Sequence, residues 1–171
     1  MLNIINIHHA VVSQIVKRAG GNPYFIEEVV RSFIDQGAVV IRDGKFEATQ
    51  KFSHVTIPDT INDVLMARMD RLEEETRDLL NVAAVIGRSF FYRVLSEVAT
   101  TVRNLDERLS FLKETQLIQE RRRMEELEYL FSHALAQEAA YASIMPEKRR
   151  ALHLRVAATI EKVFAEKLHA F

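Results

Sequence analysis

Few residues in this chain combine the types and the spacing that catalysis or metal binding requires. The six histidines are scattered, and the adjacent pair His8 and His9 would point apart on a helix rather than towards one metal ion. The chain contains no Gly-rich loop ending in Gly-Lys-Ser/Thr, no Gly-x-Ser-x-Gly elbow and no His-Glu-x-x-His pair. The glutamates at residues 73–75 are expected to form a solvated first helical turn rather than an acid/base pair. The sequence therefore predicts no catalytic residue, no metal site and no catalysis by this chain alone.

His133 is the most informative histidine, because it follows an aromatic strand end and stands where a helix is expected to begin. An imidazole at a helix N-terminus can donate a hydrogen bond to an anion, and the helix dipole favours that anion. The alternative is a partly buried histidine that caps its own helix. The local sequence leaves both roles open.

Three consecutive arginines, Arg121, Arg122 and Arg123, are expected at the tip of a β-hairpin, where an arginine can contact a nucleic-acid phosphate. The helix that would enter a DNA groove is expected at residues 104–115. It carries three carboxylates that a polyanion would repel, those of Asp106, Glu107 and Glu114. The net charge of the chain is −1, so no overall positive field attracts nucleic acid. DNA binding through the arginines is therefore an alternative hypothesis, and nucleic acid is not the expected partner.

A joint between two helices is expected at residues 20–23, which read Gly-Gly-Asn-Pro. Glycine can end a helix in a left-handed turn, Asn22 can cap the next helix, and Pro23 fits the first helical position. One interpretation is simply a well-made connection between helices. The other is that the exposed backbone and the ring of Pro23 form one wall of a ligand site. Local sequence alone does not choose between them.

The periodicity of apolar residues predicts a mainly helical chain with two small hairpins. Helices are expected at residues 8–19, 23–36, 58–72, 73–87, 89–98, 104–115, 132–141 and from 146 onward. Strands are expected at residues 38–41, 45–48, 117–121 and 127–131, and Asp43 and Gly44 should form the first hairpin turn. Three helices followed by a two-stranded hairpin are typical of a winged helix. The polar residues 49–56 are the best candidate for a linker.

The composition is that of an ordinary globular protein, with 48% hydrophobic and 27% charged residues in a chain of 171. The absence of cysteine removes disulfides, thiolate zinc sites and cysteine nucleophiles, and it fits a reducing compartment. No apolar run approaches the roughly 20 residues of a membrane span, and residues 1–10 lack the basic flank of a signal peptide. We therefore expect a cytoplasmic protein without a membrane partner.

Six segments of the chain carry a likeness to one protein family. They are residues 20–31, 57–61, 67–72, 83–90, 131–141 and 149–153, which read GGNPYFIEEVVR, IPDTI, ARMDRL, AAVIGRSF, FSHALAQEAAY and RRALH. Together they resemble the carboxy-terminal half of the AAA-like ATPase module of STAND-class signalling proteins. Such modules are found beside adenylate/guanylate cyclase domains and in large LuxR- and MalT-like transcription regulators. The resemblance runs from about Val11 to Val163.

The resemblance implies that a P-loop core outside this sequence grips the nucleotide, and that this chain supplies a helical lid and a winged helix. Pro23 would lie against the adenine, and His133 would reach the β-phosphate of ADP in the closed state. The parent protein would bind ATP or ADP with Mg, and this fragment alone would hold no cofactor. Its partners would be the N-terminal P-loop core and C-terminal helical repeats of the same polypeptide, and self-association is a further expectation.

The predicted fold is mainly α, with a helical lid subdomain and its β-hairpin at residues 1–50. A winged-helix domain follows at residues 57–145, and a C-terminal helix at residues 146–171 leads toward helical repeats. Residues 1–7 are expected to be tag or leftover sequence, and residues 49–58 to be a hinge. The predicted function is a nucleotide-sensing, regulatory fragment of a signal-transduction ATPase that acts as a conformational switch. The alternatives are a DNA-binding winged-helix transcription regulator and a helical protein-interaction scaffold.

Overall fold

A computed structural model describes residues 4–5, 9–123 and 125–165 of the chain. The predictions for His8, for His169 and for the rest of residues 1–7 and 166–171 lie outside these described residues. The chain forms two compact units, Met1–Arg68 and Met69–Phe171, and each is described by itself. The described residues are mainly helical, as the sequence predicts, and they form two small three-stranded sheets. The predicted linker at residues 49–56 lies inside the first unit.

The first unit contains three α-helices, three strands and one 3-10 helix among its described residues. In chain order these are β1 (Ile4–Ile5), α1 (His9–Ala19), α2 (Pro23–Asp35), β2 (Val39–Arg42), β3 (Lys45–Ala48), the 3-10 helix (Gln50–His54) and α3 (Ile61–Asp70). The last residues of α3, from Met69, belong to the second unit. The core collects the apolar faces of the helices and the start of β2, namely Ile15, Ala19, Phe25, Val29, Phe33, Ala38, Val39 and Val64.

The hairpin of the first unit forms as predicted, with Asp43 and Gly44 between β2 and β3. Both turn residues have positive φ, 49° and 72°, which matches the twist of a two-residue hairpin. β3 is the central strand, because β1 pairs with its other edge in parallel, Ile4 opposite Phe46. Ile4–Ile5 were expected to be tag or leftover sequence, and they instead form a strand of this sheet.

Residues 49–56 are not the loop that their polar composition predicts. Gln50–His54 form a 3-10 helix, which Thr49 caps by accepting a hydrogen bond from the Lys51 amide at 3.2 Å. The Thr49 hydroxyl also donates to the Gly37 carbonyl at 2.8 Å. The Phe52 ring packs edge-on against Phe33, with 5.4 Å between ring centroids. One aromatic side chain in a polar run is enough to fasten this segment to the core.

The second unit begins within α3 and contains five further helices and three strands among its described residues. These are α4 (Glu74–Ile86), β4 (Ser89–Phe91), α5 (Tyr92–Val98), α6 (Leu105–Glu114), β5 (Ile118–Arg123), β6 (Glu126–Phe131), α7 (Ala134–Ser143) and α8 (Pro146–Val163). The sheet is antiparallel, with strand order β4-β6-β5. α4 packs against α7 and α8, and α5 packs against α8.

Strand β4 corrects the prediction of a helix from Ser89. Phe90 pairs with Tyr129 of β6, and the two rings stack with 6.0 Å between centroids. The pairing with a strand about 40 residues later overrides the local helical pattern, so the helix starts only at Tyr92. A partner at such a separation leaves no local signal.

Two helix predictions in the second unit need adjustment. Asn104 is the N-cap residue of α6 as predicted, but it is left-handed, with φ 53°, and its side chain makes no capping hydrogen bond. α8 starts at Pro146 as predicted. The apolar spacing of Leu152, Val156, Ile160 and Val163 predicts one common face. Leu152 and Val156 are buried beside Thr159, whereas Ile160 is 39% exposed.

Candidate functional site

The joint before α2 has the geometry that its sequence predicts. Gly20 and Gly21 have φ values of 53° and 87°, and the Asn22 amide donates to the Ala19 carbonyl at 2.8 Å. Asn22 Oδ1 accepts a hydrogen bond from the Tyr24 amide at 3.0 Å, and Pro23 occupies the first turn of the helix. Residues 20–23 are all exposed, and open space surrounds both glycines. A flat ligand could therefore reach bare backbone and the Pro23 ring on the first unit.

His133 stands between β6 and α7 in the second unit. The Ser132 amide donates to the Leu117 carbonyl at 3.0 Å, which fixes the chain just before the histidine. His133 has extended backbone angles, φ −136° and ψ 144°, and it is the N-cap residue of the ten-residue helix α7. Its half-buried imidazole makes no capping hydrogen bond to α7. His133 therefore does not cap its own helix, as one of the two roles left open by the sequence required.

The arginines of the second hairpin are largely occupied within the hairpin itself. Arg121 Nε donates to Glu128 Oε2 at 2.5 Å, and Arg123 Nη1 lies 3.6 Å from Glu128 Oε1. The Glu128 side chain is only 2% exposed, so one buried carboxylate pairs with two of the three cations and offsets one of their charges. Arg122 is the arginine of this group that makes no ion pair with any described residue. The hairpin therefore offers less positive charge than its sequence suggests.

Helix α6 presents an acidic outer face. Glu107 and Glu114 are exposed, and Asp106 accepts a hydrogen bond from the Tyr92 hydroxyl at 2.9 Å. The helix's own arginine, Arg108, turns towards α4, where it donates to Glu73 at 2.9 Å. These placements agree with the repulsion of a polyanion expected from the sequence.

A solvent-open pocket of about 540 Å³ lies at the first turns of α4 and α6, and sequence reasoning missed it. Its polar wall is an ion-pair cluster, in which Arg108 contacts Glu73, Glu75 and Thr76. Hydrogen bonds from Arg108 and from Arg103 hold the pKa values of Glu73 and Glu75, respectively, below their usual range. Both carboxylates are therefore ionised at neutral pH and unsuited to donate protons. The run of three glutamates was the available signal, but their partners lie about 30 residues later.

A second feature missed by sequence reasoning is a buried ion pair in the first unit. Glu28 is 1% exposed, and Arg68 is 4% exposed. Arg68 Nη1 donates directly to Glu28 Oε2. A pair separated by 40 residues carries no periodic sequence signal. Pro23 and His133, the two site residues predicted from the sequence, belong to the first and second units, respectively.

The Arg121–Glu128 pair makes the stability of the second unit sensitive to acid. The hydrogen bond from Arg121 holds the pKa of the Glu128 carboxyl below its ordinary value of 4.5. The unfolded chain therefore takes up this proton at higher pH than the folded chain does. The pair stabilises the fold above pH 4.5, and this contribution is lost as the pH falls through the folded-state pKa.

We expect Glu128→Gln to flatten the loss of stability as the pH falls below about 4.5, because the variant has no such proton to bind. The measurement is the urea midpoint followed by circular dichroism at each pH. Glu125→Gln is the matched control, because Glu125 is an exposed residue of the same hairpin with no ion pair among the described residues. Equal pH slopes for wild type and Glu128→Gln would contradict the assignment.

Among the described residues, no helix combines the length and the apolar character needed to cross a bilayer. Within the same ranges, no three side chains of metal-binding type lie close enough together to hold an ion.

The chain is similar to one described protein family over part of its length. Residues 2–47 match the family described as Domain of unknown function (DUF8739). The match covers less than half of the chain and includes the joint at residues 20–23 and most of the first hairpin. No curated protein and no solved structure matches the chain.

Proposed function

We propose that this chain is the nucleotide-sensing part of a STAND-class signal-transduction ATPase, acting as a conformational switch in the cytoplasm without catalysis of its own. The observation that carries the proposal is His133. It starts the ten-residue helix α7, its ring is half-buried, and it does not cap that helix. An imidazole in this position can donate to a phosphate, and the helix dipole favours the negative charge.

The second unit supports the winged-helix part of the proposal. Its elements follow the order α4, β4, α5, α6, β5, β6, with the sheet order β4-β6-β5. Three helices combined with a three-stranded antiparallel sheet and a terminal hairpin are typical of winged helices. The hairpin is the wing, and its pairing with Glu128 favours a structural or sensing role over DNA binding.

The first unit supports the lid part of the proposal. Adenine is flat and largely apolar on its faces, so it suits an exposed proline ring beside backbone that no side chain covers. Pro23 and the two glycines before it meet this requirement. The first unit therefore suits the adenine contact at Pro23 that the resemblance implies.

The switch would work through differential contacts. A nucleotide that binds one arrangement of lid and winged helix more tightly than another favours that arrangement, and its loss or exchange releases that preference. The phosphate-binding loop, the Mg site and the catalytic groups would belong to the P-loop core of the same polypeptide. That core and C-terminal helical repeats are the proposed partners.

We expect His133→Ala to weaken ADP retention in the protein encoded by the complete reading frame. Losing one charge-assisted hydrogen bond should accelerate ADP release about tenfold or more and raise basal activity. The measurement is ADP release from the purified protein, followed with a fluorescent ADP analogue. His54→Ala is the control, because His54 is exposed on the 3-10 helix and should leave release unchanged.

The chain by itself provides a second arm of this test. Without the phosphate-binding loop it should bind neither ADP nor ATP with an affinity near micromolar, as judged by calorimetric titration. Micromolar binding by the isolated chain, or ADP release unaffected by His133→Ala, would contradict the proposal. So would a complete reading frame that encodes no phosphate-binding loop.

A further inference from the structure

One face of α2 carries a line of polar side chains inside the first unit. Tyr24, Glu28, Arg31 and Asp35 follow each other at helical spacing, so they share one side of the helix. The line starts at the residue after Pro23. We call these four residues, with Arg68 of α3, the polar seam.

Arg68 links the polar seam to the last turn of α3. It donates from Nη1 to Glu28 Oε2 and from Nε to Asp35 Oδ2, the latter at 3.3 Å. Arg31 Nη1 donates to the other Glu28 oxygen, Oε1, at 3.4 Å. Both oxygens of a carboxylate that is almost completely buried are therefore engaged, and each bond is directional.

Tyr24 connects the polar seam to the turn at Pro23. Its amide is the donor that Asn22 caps, at 3.0 Å. Burial, and then the nearby Glu28 carboxylate, raise the pKa of the Tyr24 phenol, so the side chain stays neutral at physiological pH. The backbone of this residue thus belongs to the cap, and its ring lies within the electrostatic reach of Glu28.

The entry to α3 is fastened to the same unit. Arg18 of α1 donates to the Ile57 and Pro58 carbonyls and pairs with Asp59 at 3.2 Å. Together with the packed 3-10 helix, these bonds leave residues 49–59 tied to the core. The segment just before α3 is therefore held by Arg18, and α3 itself is held near its end by Arg68.

We propose that Arg68 and Glu28 are positioning residues that fix the last turn of α3 to the helix carrying Pro23, so that the Pro23 turn and α3 move as one body. The hinge expected at residues 49–58 would then be rigid, and α3 would carry a change at Pro23 as far as residue 68. The nucleotide part of this inference rests on the proposed function. A buried ion pair adds little net stability over an apolar pair of similar size, but its directional bonds can specify one geometry.

The double variant Glu28→Met/Arg68→Met tests the inference on the chain itself. Replacing both charges leaves no unpaired buried ion of this pair, so the unit should still fold. We expect amide hydrogen exchange to become at least about tenfold faster in peptides covering residues 23–27 and 64–69, with exchange in α7 and α8 unchanged. The matched control is Arg42→Met/Glu47→Met, which removes a surface pair of the same unit, 3.8 Å apart, whose arginine is exposed and whose glutamate is half-buried. Wild-type exchange rates in the double variant would overturn the inference.

The exchange experiment contains no nucleotide, so its outcome is independent of the proposed function. ADP release from the complete protein then tests the coupling. Faster release in the double variant supports it. If His133→Ala accelerates ADP release but the double variant releases ADP at the wild-type rate, the coupling is overturned. If His133→Ala has no effect, the proposed function fails, and the exchange rates alone decide whether the polar seam positions the Pro23 turn.

Discussion

Replacing Phe131 with alanine is expected to lower the free energy of unfolding of the second unit by about 3–5 kcal/mol. Phe131 is completely buried, and its ring packs edge-on against Phe90 with 6.1 Å between centroids. Its backbone is held as well, because its amide donates to the Arg88 carbonyl at 2.9 Å. Truncation would leave a cavity between sheet and helices that hydrogen-bonded strands cannot close.

The measurement is urea denaturation followed by far-ultraviolet circular dichroism. Phe111→Ala is the matched control, because Phe111 is the same residue type on α6 but is 46% exposed, so its loss should change stability by only about 0.5 kcal/mol. Phe131 ends β6 two residues before His133. We therefore also expect Phe131→Ala to disturb the histidine. If Phe131→Ala lowered the free energy of unfolding no more than Phe111→Ala does, the sheet would have to repack around the gap.

Replacing Arg68 alone with methionine is expected to destabilise the first unit by about 3–5 kcal/mol, because it leaves the buried Glu28 carboxylate without its main partner. Arg31 could compensate only in part, since it lies at 3.4 Å and also binds Glu27 at 2.8 Å. The effect should exceed that of the double replacement with Glu28, in which no unpaired carboxylate remains. If the two replacements acted additively, the double variant would instead be the less stable one.

The free energy of opening is best measured from amide exchange of core residues such as Val29 and Val64, which report on the first unit alone. Arg42→Met is the control, because Arg42 pairs with Glu47 at the surface and its side chain is 73% exposed. Its expected cost is below about 1 kcal/mol. If Arg68→Met cost no more than Arg42→Met, Glu28 would have to be solvated or protonated, and the ion pair would not be the buried contact described above.

Local sequence signals correctly predicted where two helices begin and where the first hairpin turns. Asn22 and Pro23 start α2, Asp43 and Gly44 turn the first hairpin, and Pro146 starts α8. Each depends on backbone sterics or on a hydrogen bond within about four residues, so nearby residue types suffice to identify it. The sequence did not predict the strand at Ser89–Phe91, because this strand forms by pairing with β6, about 40 residues later.

The features of the candidate site also separate into those that nearby residues predict and those that depend on distant parts of the chain. The sequence singled out Pro23 and His133, and both lie at helix starts as expected. It could not show that two arginines of the second hairpin are paired with a buried glutamate, since Glu128 looks like any charged residue of an alternating strand. It also could not show that the His133 side chain makes no capping hydrogen bond to α7, because that depends on the side-chain orientation in the folded chain.

The sequence by itself determined the helical character of this protein, the places where its elements begin and turn, and the two residues on which the functional proposal rests. Only the tertiary structure decided which charges are buried and with what they pair. Glu28 meets Arg68 across 40 residues, and Arg108 meets Glu75 across 33. Charge burial depends on which surfaces the folded chain brings together, and no spacing rule along one helix or strand contains that information.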